Sequence, residues 1–229
     1  MKMPPLLLPC NLPWSAGLLA LALCLGPAAL THAQTRYGAQ PRGTSVKVDG
    51  TSSLHDWEME GTMIGGFIEF GLGVKLDPAQ AAVAGIQDNK VPAKAHSVIP
   101  VASIHSKADH LPEVMDHLMQ EAMKFEQFKT INYTLTDLTF KGPHAAGKPF
   151  EFDSKGELVI AGVTNKVSFP ITIECLDAAK IKVSGTAPVK MTDYGITPPA
   201  PNFGLGMMKC GDGVKIIFEW TLEKKVEKK

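Results

Sequence analysis

Three groups of residues have types and spacings that could do chemistry. Ser53, His55 and Asp56 place a hydroxyl, an imidazole and a carboxylate close together in sequence, the set from which a nucleophile, its base and an orienting acid are drawn. If the segment is extended, His55 and Asp56 point to opposite faces, and no Gly-x-Ser-x-Gly occurs. No catalytic residue is assigned there. His105, His110 and His117 form the second group. A zinc site wants closer spacing, usually i, i+4 on a helix with a further ligand, so these read as surface or capping histidines and no metal is expected. Cys175 and Cys210 form the third. In an oxidising compartment they permit one disulfide, and spacing leaves a bridge and two free thiols equally open. No cofactor is expected from any of these groups.

The apolar residues are the better candidates for a site, and they lie on recognisable elements. The persuasive helix runs from about Pro112 to Phe125. Pro112 suits its first turn and Glu113 the positive end of its dipole. Leu111, Met115, Leu118, Met119 and Ala122 share one face, while Glu113, Asp116, Gln120, Glu121 and Lys124 take the other. Methionines at 115, 119 and 123 make that face soft and adaptable. Nearly everything else alternates with period two. Strands are expected from Thr44, over residues 54–70 with glycines suggesting bends, and over 95–104, where Pro100 implies an edge or a bulge. Further strands are expected over 130–141, 150–160, 165–175, 180–191 and 213–223. The first of these reads Ile131, Tyr133, Leu135 and then Leu138, Phe140. Residues 71–93 read as a turn and an excursion. Many strands, short turns and one helix predict an all-β sandwich or barrel.

The ends of the chain read differently. Lys2 is the only charge in the first 33 residues, Leu18–Leu25 is an apolar run, and Thr31 and Ala33 approximate a small-x-small pattern before Gln34. This predicts a secretory signal cleaved near Ala33, because the run is about half of the roughly 20 residues a bilayer span needs. Leu23 before Cys24 argues against lipidation. Residues 34–43 read as a loose lead-in, 44–223 as the domain and 224–229 as a charged tail. Lysines and arginines equal aspartates and glutamates, 23 each, which leaves no basic footprint for nucleic acid.

Four stretches resemble a known family. SSLHDWE (52–58), IPVASIHSKADHLPEVMDHLMQEAMKFEQFKTINY (99–133), GELVIAGVTNKVSFPI (156–171) and MTDYGITPP with CGDGVKIIFEW (191–199 and 210–220) resemble, in order, signatures of the YceI-like family of exported lipid-binding barrels. The resemblance implies an eight-stranded antiparallel, lipocalin-like β-barrel covered by one amphipathic helix. It implies an apolar or amphiphilic ligand, isoprenoid- or lipid-like, in the barrel tunnel, a binding protein rather than an enzyme, and at most peripheral contact with a membrane. An eight-stranded barrel is just wide enough for side chains or one small ligand. The polyisoprenoid-binding branch tends to carry Phe-x-Val-x-His where this chain has Leu54-His-Asp-Trp57, which resembles another branch and leaves the cargo open. Candidate ligand contacts are Phe67, Phe70, Met115, Met119, Phe125, Phe128, Ile131 and Tyr133. Tyr194 joins them at the barrel mouth, ring inward and hydroxyl wet, beside a glycine expected at positive φ. A barrel filled by these same side chains is the competing expectation.

Overall fold

The computed structural model describes residues 34–143, 145–201 and 208–225. The expected signal over residues 1–33 and the last residues of the charged tail lie outside the described residues. Eleven antiparallel segments form the sheet: β1 (Thr35–Ala39), β2 (Ser45–Ser52), β3 (Trp57–Gly61), β4 (Gly65–Phe70), β5 (Ala93–Pro100), β6 (Ile104–Ser106), β7 (Thr130–Phe140), β8 (Phe150–Ile160), β9 (Val163–Cys175), β10 (Lys180–Lys190) and β11 (Cys210–Lys224). They make eight walls. β1 and β2 lie end to end along β11, β4 and β3 lie along β1 and β2, and β5 and β6 lie along β4 and β3. β5 then pairs with β7, the remaining walls follow in chain order, and the β1–β11 pairing closes the barrel.

The first three walls are broken because their residues break them. Pro41 and Gly43, the latter at φ 73°, turn the chain between β1 and β2. Residues 34–43, expected as a loose lead-in, therefore supply a closing strand whose Tyr37 pairs with both Ile68 and Lys224. Pro100 ends β5 rather than marking an edge: Val101–Ser103 form a 3-10 turn, with the Ser103 hydroxyl donating to the Pro100 carbonyl at 2.7 Å. Each break bends a wall, as a strongly curved small barrel requires. Lys224, expected in the tail, is the last residue of β11.

The longer walls follow the alternation. In β7 the inward set is Ile131, Tyr133 and Leu135, and then Leu138 and Phe140. The change of phase is a bulge between Leu135 and Asp137, opposite Lys155 and Gly156. β8 turns into β9 through Ala161 and Gly162, both at positive φ (48° and 81°), as a two-residue type I′ hairpin needs. Gly162 also leaves room for the Phe128 ring.

The two ends differ. At the lower end Phe70, Phe140, Phe150 and Phe152 are fully buried, and Phe140 packs on Phe152 with centroids 5.5 Å apart. The excursion after β4 lies across this end: Val74, Val83 and Val91 are buried, Val91 N–H donates to Leu138 and Phe140 N–H to Asn89. At the upper end β6 is not paired with β7, and the helix α1 (Pro112–Ala122) packs beside β6. α1 is shorter than expected. Leu111, assigned to its apolar face, instead precedes it in the left-handed region (φ 54°) and is 61% exposed. No helix among the described residues is long and apolar enough to cross a membrane.

One close approach makes a sharp test of this packing. A Cβ on Gly156 would stand 2.4 Å from the Thr134 carbonyl oxygen and 2.5 Å from the Tyr133 ring. Gly156→Ala is expected to cost about 1–3 kcal/mol through overpacking, lowering Tm by roughly 2–4 °C per kcal/mol. Thermal unfolding followed by circular dichroism checks it, and an unchanged Tm would show that the Thr134 carbonyl and the Tyr133 ring both give way at little cost.

Candidate functional site

Inward side chains do not fill the upper half of the barrel. A chamber of about 120 Å3 lies beneath α1. Met115, Leu118, Met119 and Ala122 from the helix form its roof, and Met123, just past the helix, continues it. Its walls come from Val48, Trp57, Met59, Ile104, Ile131, Ile160, Val189, Val214 and Ile216. The rim comes from the segment after β10 (Met191, Tyr194, Ile196, Pro199 and Pro201) and from Met208 and Cys210. Six methionines thus face one cavity, a polarizable and adaptable lining. Below it lies a second chamber of about 80 Å3, lined by Ile64, Ile68, Ala95, Ser97, Ile99, Tyr133, Leu135, Leu138, Ser154, Leu158, Phe169, Ile171, Val183, Ala187, Phe218 and Trp220, with Ile131 and Ile216 shared between the two.

Polar groups are few and mostly satisfied. In the lower chamber the Tyr133 hydroxyl and the Ser154 hydroxyl share a hydrogen bond of 2.6 Å. Burial pushes the Tyr133 phenol pKa up, against a smaller opposite effect of Ser154. Trp220 Nε1 donates to the Ile64 carbonyl at 3.2 Å and Trp57 Nε1 to the Thr51 carbonyl at 3.1 Å, so each indole turns its apolar body to a chamber with its N–H already used. Tyr194 is 2% exposed. Burial raises its pKa most, with Asp193 adding to the effect. Asn165 lies beside the phenol, but its amide donates to the Asp193 carbonyl at 2.7 Å, and the buried hydroxyl has no hydrogen bond of normal geometry. The expected wet hydroxyl is therefore dry, although Gly195 does carry the expected positive φ of 64°.

A single carboxylate ties the roof to the wall. Asp116 on α1 accepts from the Ser106 backbone N–H at 2.5 Å and meets His105 Nδ1 at 2.8 Å. One side chain thereby joins the helix to β6, the strand that pairs with β3 but not β7.

The structure gathers only part of the sequence-based set. Met115, Met119, Ile131 and Tyr194 line the upper chamber, and Tyr133 the lower one. Phe67 is on the outward parity of β4, with the Arg36 guanidinium 3.7 Å from its ring centroid. Phe70 is inward but belongs to the lower plug, where it meets Tyr37 edge-on at 6.1 Å. Phe125 lies past the helix end with Lys129 Nζ 3.9 Å over its ring, and Phe128 packs at Gly162. None of these four lines either chamber. Trp57, Met59, Met191, Met208, Cys210 and Ile216 were missed. Trp57 and Met59 share one strand face, the signal that could have found them. The rim residues come together only through the fold.

The chemical candidates are dispersed. Residues 53–56 form a turn, not a strand. The Ser52 hydroxyl accepts from the Leu54 and His55 N–H groups, and His55 Nδ1 faces the Asp56 carbonyl. The Ser53 hydroxyl accepts from Lys209 N–H. His117 is exposed, and no group of three or more metal-capable side chains occurs among the described residues. Cys175 and Cys210 are both free thiols.

Comparison with known proteins agrees with this architecture. The family model described as YceI-like domain matches residues 37–222. BcnA from Burkholderia cenocepacia is 17% identical, with a TM-score of 0.54 over 80% of this chain and 98% of that one. A polyisoprenoid binding domain from Saccharophagus degradans, implicated in plant cell wall breakdown, is 13% identical, with a TM-score of 0.55 over 82% and 98%. Likeness at such identities is one of fold. No curated protein matches the sequence.

The Asp116 latch makes a prediction. Removing a carboxylate that accepts a partly buried backbone N–H costs about 1–3 kcal/mol. Asp116→Ala is expected to raise hydrogen exchange over residues 112–123 about tenfold or more while β7–β11 stay protected. Uniform loss of protection, or none, would show that α1 is held by its apolar face alone.

Proposed function

This chain belongs to the YceI-like domain family, and on that premise we propose that it is a carrier that takes one apolar or amphiphilic molecule, isoprenoid- or lipid-like, into the chamber beneath α1. The observation that carries this reading is the chamber itself: an apolar space of about 120 Å3 under a methionine-faced roof. Ligand sites are mostly apolar and concave, with few polar groups, and a dry apolar void invites an apolar guest. The polyisoprenoid binding of the Saccharophagus domain supports the same class of cargo. Binding of this kind uses no catalytic group, so the reading is of a binding protein and not an enzyme. Nothing in its balanced charge favours nucleic acid. The apolar leader supports export, so that the carrier would work outside the cytoplasm, meeting membranes peripherally when it loads or unloads.

A barrel filled by its own side chains is favoured by one observation. Each chamber is no larger than a cavity of about 150 Å3 that accepts benzene, which a slight repacking would close. The two readings separate in the envelope of the native host. Protein purified from it is expected to carry one apolar molecule, seen by native mass spectrometry and identified by lipid extraction. Repeated recovery of empty protein would end the carrier reading.

Cys210 supplies a second test. It lines the upper chamber, and burial pushes its thiol pKa up, so at neutral pH it is protonated and reacts slowly. In a Cys175→Ser background, alkylation is expected to accelerate as pH rises and to slow at least several-fold when farnesol is bound. A rate indifferent to a bound prenyl alcohol would place the ligand elsewhere.

A further inference from the structure

We propose that Ile131 and Ile216 form a waist that sets how long a chain the barrel accepts. This rests on the carrier reading above and adds its depth limit. Among the described residues these are the only side chains common to both chambers. They stand on β7 and β11, and going round the barrel in either direction β7 is four walls from β11. The pair therefore faces across the lumen from opposite sides. Both are almost wholly buried, at 6% and 7% exposure, and both are β-branched, so each has little rotameric freedom with which to step aside.

The waist matters because the barrel is open to cargo from one end. Phe70, Phe140 and Phe152 plug the lower end and the segment after β4 covers it, whereas the upper chamber lies under a helix beside β6, a strand paired with β3 on one edge and not with β7 on the other. A chain enters from above, fills the methionine-lined chamber, which can reshape, and then meets two stiff isoleucines that cannot. The lower chamber, about 80 Å3, stays beyond the waist. Wild-type protein is accordingly a carrier of short or compact apolar chains. The preference ends where the upper chamber is full.

The experiment is a length series of prenyl alcohols (geraniol, farnesol, geranylgeraniol) titrated into purified wild-type, Ile131→Ala and Ile216→Val proteins by calorimetry. Each buried methylene is worth about fourfold in affinity. In wild-type, affinity is expected to stop rising at the chain that fills the upper chamber. In Ile131→Ala the rise continues, with a gain of at least about tenfold for the next longer alcohol over wild-type. Ile216→Val, a one-methyl change within the fold's tolerance, gives a smaller shift in the same direction and keeps the test alive if the alanine variant does not fold. A length limit identical in all three proteins, or affinity rising unbroken to geranylgeraniol in wild-type, overturns the waist while leaving the carrier reading intact. Binding of no alcohol by any of the three overturns the carrier reading itself.

Discussion

Everything in this structure depends on closing eight walls into a ring. Eight strands enclose a lumen only wide enough for the side chains that point into it, so hollow space exists only where those side chains do not together fill a layer. Around the lower chamber the inward positions include Ala95, Ser97, Ser154 and Ala187. One layer further down they are Phe70, Phe140, Phe150 and Phe152, and there the lumen is solid. The same strands thus make a plug where phenylalanines meet in one layer and a cavity where small residues stand among the large ones. The rule that confines large side chains also explains Gly156 and Gly185. Each yields its own volume to an aromatic neighbour, Tyr133 in the first case and Phe218 in the second.

Closure also explains why the helix is where it is. The first three walls are each interrupted, and after its 3-10 turn the third wall continues as β6, which pairs with β3 only. Without an edge-to-edge partner on the β7 side, the upper rim has a gap, and unpaired strand edges and exposed apolar interiors are both unfavourable. α1 covers the gap with a face of half-buried methionine and leucine. Asp116 meets the need locally, satisfying the Ser106 N–H that no neighbouring strand receives. A roof held by one carboxylate and a soft apolar face has few strong interactions to break when it opens.

How much of this was readable beforehand differs by the range of the interaction. Local order was plain: the phase change from Leu135 to Leu138 is visible as two apolar runs out of step, and the bulge is its consequence. The Ala161–Gly162 hairpin and the Gly195 turn were likewise written in short-range chemistry. β1 was not, because Thr35–Ala39 has little apolar alternation of its own and is a strand only by virtue of β4 and β11 on either side. The site divides in the same way. Met115, Met119 and Ile131 could be picked out because helix and strand periodicity decide which way they face. Phe67 was misplaced by a single step of strand parity, and Phe70, though inward, by depth along the barrel axis, which periodicity does not encode. Ile216, Met191 and Cys210 reach the chamber through sheet closure and a returning loop, and no window of sequence contains that information.

The two chambers bring contrasting materials together. Thioether side chains with several rotatable bonds line the space nearest the roof, and such side chains adapt to differently shaped neighbours with little strain. Branched side chains fixed by the sheet stand below them at Ile131 and Ile216, where the fold itself depends on packing. Softness at the mouth and stiffness at the centre are what a small barrel needs if it is to hold varied guests without loosening its own core. A methionine at either waist position would extend the adaptable region downward, but it would also remove the restricted rotamers that keep β7 and β11 apart at a fixed distance. In this reading specificity comes from where the soft lining stops, and no polar recognition of the ligand has to be invoked.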